Sequence, residues 1–223
     1  MSYLPAPKVI RSVRRTLSLQ ISSRGELIVK APFFIPEKVI NSFIKEKEDW
    51  ILKALQKVKT RKVHSKTYQE EEEFLYLGDK YKLHIGDFKE ISFNNSSLNF
   101  PSFMIFRAKK ELTNWYIKEA KKLITAQVAY MSKKMNLKYN SLRFSDTSSK
   151  WGSCFPDNSL QFNWRLIMVP LMVLNYVVIH ELAHTIEKNH GKRFWSKVDL
   201  YTPAYKQHSK WLKNNREPCL FAL

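Results

Sequence analysis

The residues with most chemistry to offer in this 223-residue chain are His180, Glu181, His184 and His190. The first three form H-E-x-x-H within Val177-Val178-Ile179-His180-Glu181-Leu182-Ala183-His184. On an α-helix, positions i and i+4 stack on one face about 6 Å apart along the axis. His180 and His184 can therefore aim two imidazoles at one divalent metal, each ring nitrogen roughly 2.0–2.1 Å from it. Glu181 points about 100° round the helix from His180. That keeps it off the metal but within reach of a water beside it, where a general base belongs.

A catalytic zinc takes three protein ligands and keeps one position open. Glu187, His190 and His208 are the candidates for the third ligand. Glu187 is three residues past His184, on the same helix but rotated away, and His208 sits in a lysine-rich amphipathic segment open to water. His190 is favoured. The chain is expected to leave the helix at Asn189-His190-Gly191, and a residue just past the last turn can fold back to close the shell. An oxyanion stabiliser is also needed. Tyr176, one turn before His180, and Arg165 and Asn163 just upstream are the candidates, Tyr176 being equally readable as packed core.

Residues 180–195, HELAHTIEKNHGKRFW, resemble the active-site segment of the YgjP-type metal-dependent hydrolases, a family within the SprT/WLM-like zinc metallopeptidases. Lys150-Trp151-Gly152-Ser153-Cys154 and Asn163-Trp164-Arg165-Leu166 are similar to that family's W-G-S-C and N-W-R-L segments, with weaker likeness at Arg11 to Val29, Lys47 to Leu52 and Gly78 to Leu83. The resemblance implies a Zn2+-dependent, peptidase-like hydrolase acting on a peptide or protein. His180, His184 and His190 would be its ligands and Glu181 its base. The implied fold is α+β, with N-terminal antiparallel strands and helices followed by a minimal zincin-like core. That core would comprise a long helix, a small antiparallel sheet beside the H-E-x-x-H helix, and C-terminal helices. An edge strand of that sheet would hold an extended peptide by backbone pairing.

Other elements must position these residues. Pro170 suits a first helical turn, and Leu171, Val173, Leu174, Val177, Val178 and Ile179 cover nearly every side of the helix that follows, as in a core-buried helix. His and Glu inside it need partners, since burying them unpaired costs several kcal/mol. Upstream, 9–21 and 27–31 read as two strands around the turn Ser22-Ser23-Arg24-Gly25, and Glu37 to about Val58 follows the helical period. Lys59 to Glu73 reads as a surface connector, with His64 exposed in it. Phe74 to Phe93 gives short strands turned at Gly78-Asp79 and Gly86-Asp87, and 94–99 reads as a loop. Phe103 to Phe106 is either a last strand or the approach to a long helix over Leu112 to Met135. Leu142 to Phe144 and Leu160 to Phe162 read as paired strands, with Trp151-Gly152-Ser153-Cys154 in the turn region between them. Two short helices, Phe194 to Leu200 and Pro203 to Asn214, end the chain.

The length suits a single domain, 1–223, with a β-rich part to residue 100 and a catalytic core from 101. Hydrophobic residues make up 44% and aromatic residues 13%, which excludes an intrinsically disordered chain. Two cysteines, Cys154 and Cys219, make no disulfide framework, and no secretory signal is evident, which points to the cytoplasm. The longest apolar run, Leu166 to Ile179, is too short for a bilayer and points to no membrane partner.

The net charge of +18 is unevenly spread. Residues 1–63 carry 14 basic and 5 acidic side chains, and 101–139 carry 9 and 2, whereas 140–190 are balanced at 4 and 4. A basic field around a neutral chemical stretch favours polyanions, nucleic acid first, although lysines also serve solubility. No helix-turn-helix, zinc-finger or RNP signature is present. The alternative reading is therefore a nucleic-acid-associated module with a structural zinc, for which Cys154 is the one soft fourth ligand in view. Oligomeric state is not legible.

Overall fold

The computed structural model describes residues 4–22, 25–62, 66–94, 97–147 and 149–215. The chain divides into two compact units, Met1–Ser65 and Lys66–Leu223. His64, Cys219 and the hairpin tip at Ser23 and Arg24 lie outside the described residues.

The first unit builds β1 (Lys8–Ser12), β2 (Ser18–Ile21) and β3 (Leu27–Pro32) into a sheet ordered β1-β3-β2. β1 is parallel to β3 and β2 antiparallel to it, so 9–21 is not one strand. The two flank β3 on opposite edges in opposite directions, and the chain must turn back between them. Only β2 carries the alternation of Leu19 and Ile21; β1 is exposed along its whole length. Leu27, Val29 and Ala31 point inward from β3 and meet Ile40, Ile44 and Ile51. The helix expected over Glu37 to Val58 is two helices, α1 (Glu37–Glu46) and α2 (Glu48–Lys62), broken at Lys47. The isoleucine stripe reaches one core from both sides of the bend, so its period runs through the break and conceals it.

The second unit opens with a sheet of β4 (Glu73–Tyr76), β5 (Asp79–Gly86), β6 (Ser92–Asn94) and β7 (Ser97–Pro101), ordered β4-β5-β7-β6. Residues 94–99, expected as a loop, thus hold the end of β6 and the start of β7. The polar composition there reads as a turn, but Leu98 and Phe100 alternate inward, both buried, as β7 pairs parallel with β5. Ser102–Arg107 is a 3-10 turn leading into α3 (Ala108–Met135). α3 buries Ala108, Leu112, Tyr116, Ala120, Ile124, Val128, Met131 and Met135 at helical spacing and ends on Asn136 in the left-handed conformation.

A second sheet of β8 (Leu142–Ser145), β9 (Gly152–Cys154) and β10 (Leu160–Asn163) is ordered β8-β10-β9. It is mixed rather than antiparallel, because β8 and β10 are parallel. Gly152-Ser153-Cys154, expected in a turn region, is its edge strand. A 3-10 turn at Trp164–Met168 then leads to α4 (Leu171–Ala183), α5 (Lys192–Tyr201) and α6 (Tyr205–Asn214).

α4 sits in the main core. Val173, Leu174, Val177, Val178, Ile179 and Leu182 are all buried, and at roughly 1.5–3 kcal/mol each they outweigh the several kcal/mol of carrying His180 and Glu181 inward. Its entry is fixed by the β4–β5 turn. The Leu77 and Gly78 N–H groups donate to Ile167 O and Met168 O at 2.8 and 3.2 Å. Gly78, at φ +94°, lies so close to Pro170 that a Cβ there would stand 2.6 Å from the Pro170 ring. Among the described residues no helix is long and apolar enough to cross a membrane.

Candidate metal centre

α4 ends at Ala183, six residues before the exit expected at Asn189, and His184 is its C-cap. The Thr185 hydroxyl donates to Leu182 O and helps close the last turn. His180 therefore stands on regular helix while His184 caps it, and the backbone beyond turns sharply enough to bring His190 back. Gly191 is not a left-handed cap. It is extended (φ −77°, ψ −176°), it is the N-cap of α5, and a Cβ there would meet nothing.

The three imidazoles converge through Nε2. His190 Nε2 is 3.1 Å from His180 Nε2 and 3.1 Å from His184 Nε2. Two nitrogens held at 2.0–2.1 Å from one tetrahedral cation stand about 3.3 Å apart, so the spacing fits a shared zinc-sized ion. The tautomer of His184 fits as well. Its Nδ1 lies 2.9 Å from Glu187 O, and a carbonyl only accepts, so Nδ1 carries the proton and Nε2 presents a lone pair. Burial, then the neighbouring His184 and His190, push His180 down to about 3, and burial likewise lowers His184. Both rings are then neutral at physiological pH, the form in which imidazole ligates metal.

Glu181 lies outside this nitrogen cluster and is almost fully buried. Its carboxylate accepts the Cys154 backbone N–H of edge strand β9. Gly152 passes so close that a Cβ would sit 2.6 Å from Glu181 Cγ and 2.7 Å from Oε1. Burial pushes Glu181 up to about 7, with Lys150 and the Cys154 N–H pulling the other way. A carboxyl with that value can take a proton and return it near neutrality.

Residues 15–215 match the family model described as YgjP-like, metallopeptidase domain. The chain belongs to the YgjP-like family. Neither the curated proteins nor the solved structures contain a match to it.

A YgjP-like metallopeptidase domain is a hydrolase of metallopeptidase type and calls for a divalent metal, and His180, His184 and His190 form a group able to hold one. Neither Glu187 nor His208 joins that group. Glu187 contributes its main-chain carbonyl instead, and His208 lies against Tyr176 at 6.1 Å between rings. Cys154 also stays out, its sulfur 3.7 Å from Lys188 Nζ.

The oxyanion candidates are occupied otherwise. Asn163 is buried, donates to Thr147 O at 2.6 Å and accepts from Arg165 N at 2.9 Å. Arg165 pairs with Asp146 and lies over the Trp164 ring. Both brace the loop before β9. Tyr176 is buried, its hydroxyl bonded with Ser209, and its ring is 5.8 Å from that of His180.

Sequence reasoning missed the aromatic wall behind the histidines. Phe194, wholly buried, stacks on His184 at 4.4 Å and meets His180 and His190 edge-on. Trp195 stacks on His190 and Tyr205 on Trp195. The signal was the adjacent pair Phe194-Trp195 soon after His190, which reads from sequence as ordinary helix packing.

Proposed function

We propose that this YgjP-like domain cleaves peptide or amide bonds in a peptide or protein, with zinc held by His180, His184 and His190 and with Glu181 as general base. The observation that carries the reading is the pairing of three converged imidazole nitrogens with a buried carboxyl raised to about 7 and pressed against an edge strand. Bound there, zinc supplies Lewis acidity at the scissile carbonyl and acidifies an attacking water.

The chain's own residues supply the rest. β9 is an outer strand of its sheet, and an extended substrate can add to it as a further strand. That places the substrate backbone beside Glu181, whose carboxylate already meets β9 at Cys154. Glu181 takes the proton from the attacking water and hands it to the departing amine. Burial of the Glu181 side chain keeps it within the range where both transfers run.

Glu181→Gln preserves size and hydrogen bonding but removes the base. The variant should keep its metal and lose turnover of a fluorogenic peptide pool by 10²–10⁴-fold. Unchanged turnover contradicts the proposal. The alternative, a nucleic-acid-associated module with structural zinc, wants a fourth protein ligand. Among the described residues the cluster holds three, and Cys154 is not one of them.

A further inference from the structure

A cleft of about 540 Å³ opens where α3 begins, lined by Thr67, Tyr68, Ile105, Phe106 and the run Arg107 to Lys110. No ligand of the metal centre takes part in it. One wall is the loop before β4, where Tyr68 adopts a left-handed backbone (φ +58°) that a tyrosine rarely takes. The Glu72 carboxylate holds that conformation, accepting the Thr67 and Tyr68 N–H groups at 3.0 and 2.6 Å. Strain fixed in this way, by a dedicated partner, concentrates at binding sites. The Tyr68 hydroxyl is enclosed and has no hydrogen-bond partner among the described residues.

The opposite wall is basic and aromatic. Arg107, Lys109 and Lys110 are exposed, and among the described residues none lies within ion-pair distance of a carboxylate. They stand at the N-terminus of a 28-residue helix whose N-cap makes no side-chain bond. The helix dipole is positive there and disfavours cations. Glu111 is the acidic residue of that first turn; the three exposed cations outnumber it, and the excess positive charge favours an anionic partner. Beside them, Phe106 is 97% exposed and Phe103 67% exposed. Large aromatic faces left in water amid unpaired cations are what unpaired bases and their phosphates require together, stacking for one and charge for the other.

We propose that the cleft at the start of α3 binds single-stranded nucleic acid, with Arg107, Lys109 and Lys110 on the phosphates and Phe106 stacked on a base. The surface is independent of the hydrolytic reading and stands or falls separately from it. Fluorescence anisotropy of the full-length chain with labelled oligo(dT), across a salt series, reads it directly.

Lys109→Glu with Lys110→Glu should weaken binding at least tenfold and flatten the salt dependence by about 1.4 in log–log slope, two phosphate contacts at about 0.7 each. Phe106→Ala, a change at an open surface position, should weaken binding roughly five- to a hundredfold at unchanged salt slope. Lys133→Glu with Lys134→Glu, the same charge reversal at the far end of α3, should cost much less. Several results overturn the proposal: no binding at low salt, equal losses from the two reversals, or indifference to Phe106→Ala. Equal competition by polyglutamate also overturns it and assigns the cleft to acidic protein.

Discussion

At the scale of single residues, the centre depends on how little space surrounds Glu181. Gly152→Ala would place a methyl 2.6 Å from Glu181 Cγ. Overpacking of this kind costs about 1–3 kcal/mol, and here it must push either β9 or the carboxylate aside. The expected outcome is a folded, metal-bearing protein with sharply reduced turnover, read by metal analysis and peptide assay together. Wild-type turnover would show that the approach of Gly152 to Glu181 is incidental. Phe194→Ala removes a wholly buried ring stacked on His184. It should cost about 3–5 kcal/mol of stability and lower metal affinity by about 10–100-fold, as loss of ligand support does. Chemical denaturation and metal titration measure the two effects. His180 and Glu181 also set opposing pH trends in metal-free protein. Burial holds His180 at about 3 against an ordinary 6.5, so the unfolded chain binds more protons between those values and stability falls as pH drops through that window. Glu181 is raised to about 7 from 4.5, so the folded chain binds the proton first and stability falls as pH rises from 4.5 to 7. Between pH 4.5 and 6.5 the two trends offset, so thermal melts of chelated protein should show an acid limb emerging below about pH 4.5 that His180→Asn flattens; an unchanged limb would contradict the burial of a neutral ring. The H-E-x-x-H spacing made His180, Glu181 and His184 legible in the sequence because one helical turn is a local fact. Phe194 was not, since a ring beside an imidazole and a ring in any core have the same sequence pattern.

At the scale of elements, the site is the meeting of α4 with the edge strand β9, and the two were unequally visible. α4 announced itself through Pro170 and an apolar run, but its end did not, because Thr185 to Asn189 could equally continue a helix. Three-residue β9 was hidden by its glycine and short length, and only pairing with β10, distant from any local signal, makes it a strand. The same holds for β7 and for the turn separating β1 from β2: their partners are non-local. Asn163 links these elements, bridging Thr147 O, Trp151 O and Arg165 N from the end of β10. Asn163→Ala keeps the backbone bond to Trp151 O but leaves Thr147 O and Arg165 N without their side-chain partner, and should cost about 1–3 kcal/mol, a fall in Tm of several degrees for a domain of this size. It should lower turnover by freeing the loop that carries β9, with metal content retained. Loss of metal instead would place Asn163 in support of the ligands.

At the scale of the whole molecule, the chain combines a neutral chemical segment with strongly basic surroundings. The three imidazole nitrogens are brought together only by the fold, from α4, its cap and the turn before α5, so a metal bound there adds to the stability of the folded form alone. At a free metal concentration 100 times Kd the gain is about 2.7 kcal/mol. Chelation should lower Tm, and zinc should restore it. The central claim is that three imidazoles hold one ion, and metal analysis of purified protein alongside His190→Ala tests it most directly. Wild-type protein should carry one equivalent of metal, and the variant should lose most of it. Full occupancy in His190→Ala would contradict it.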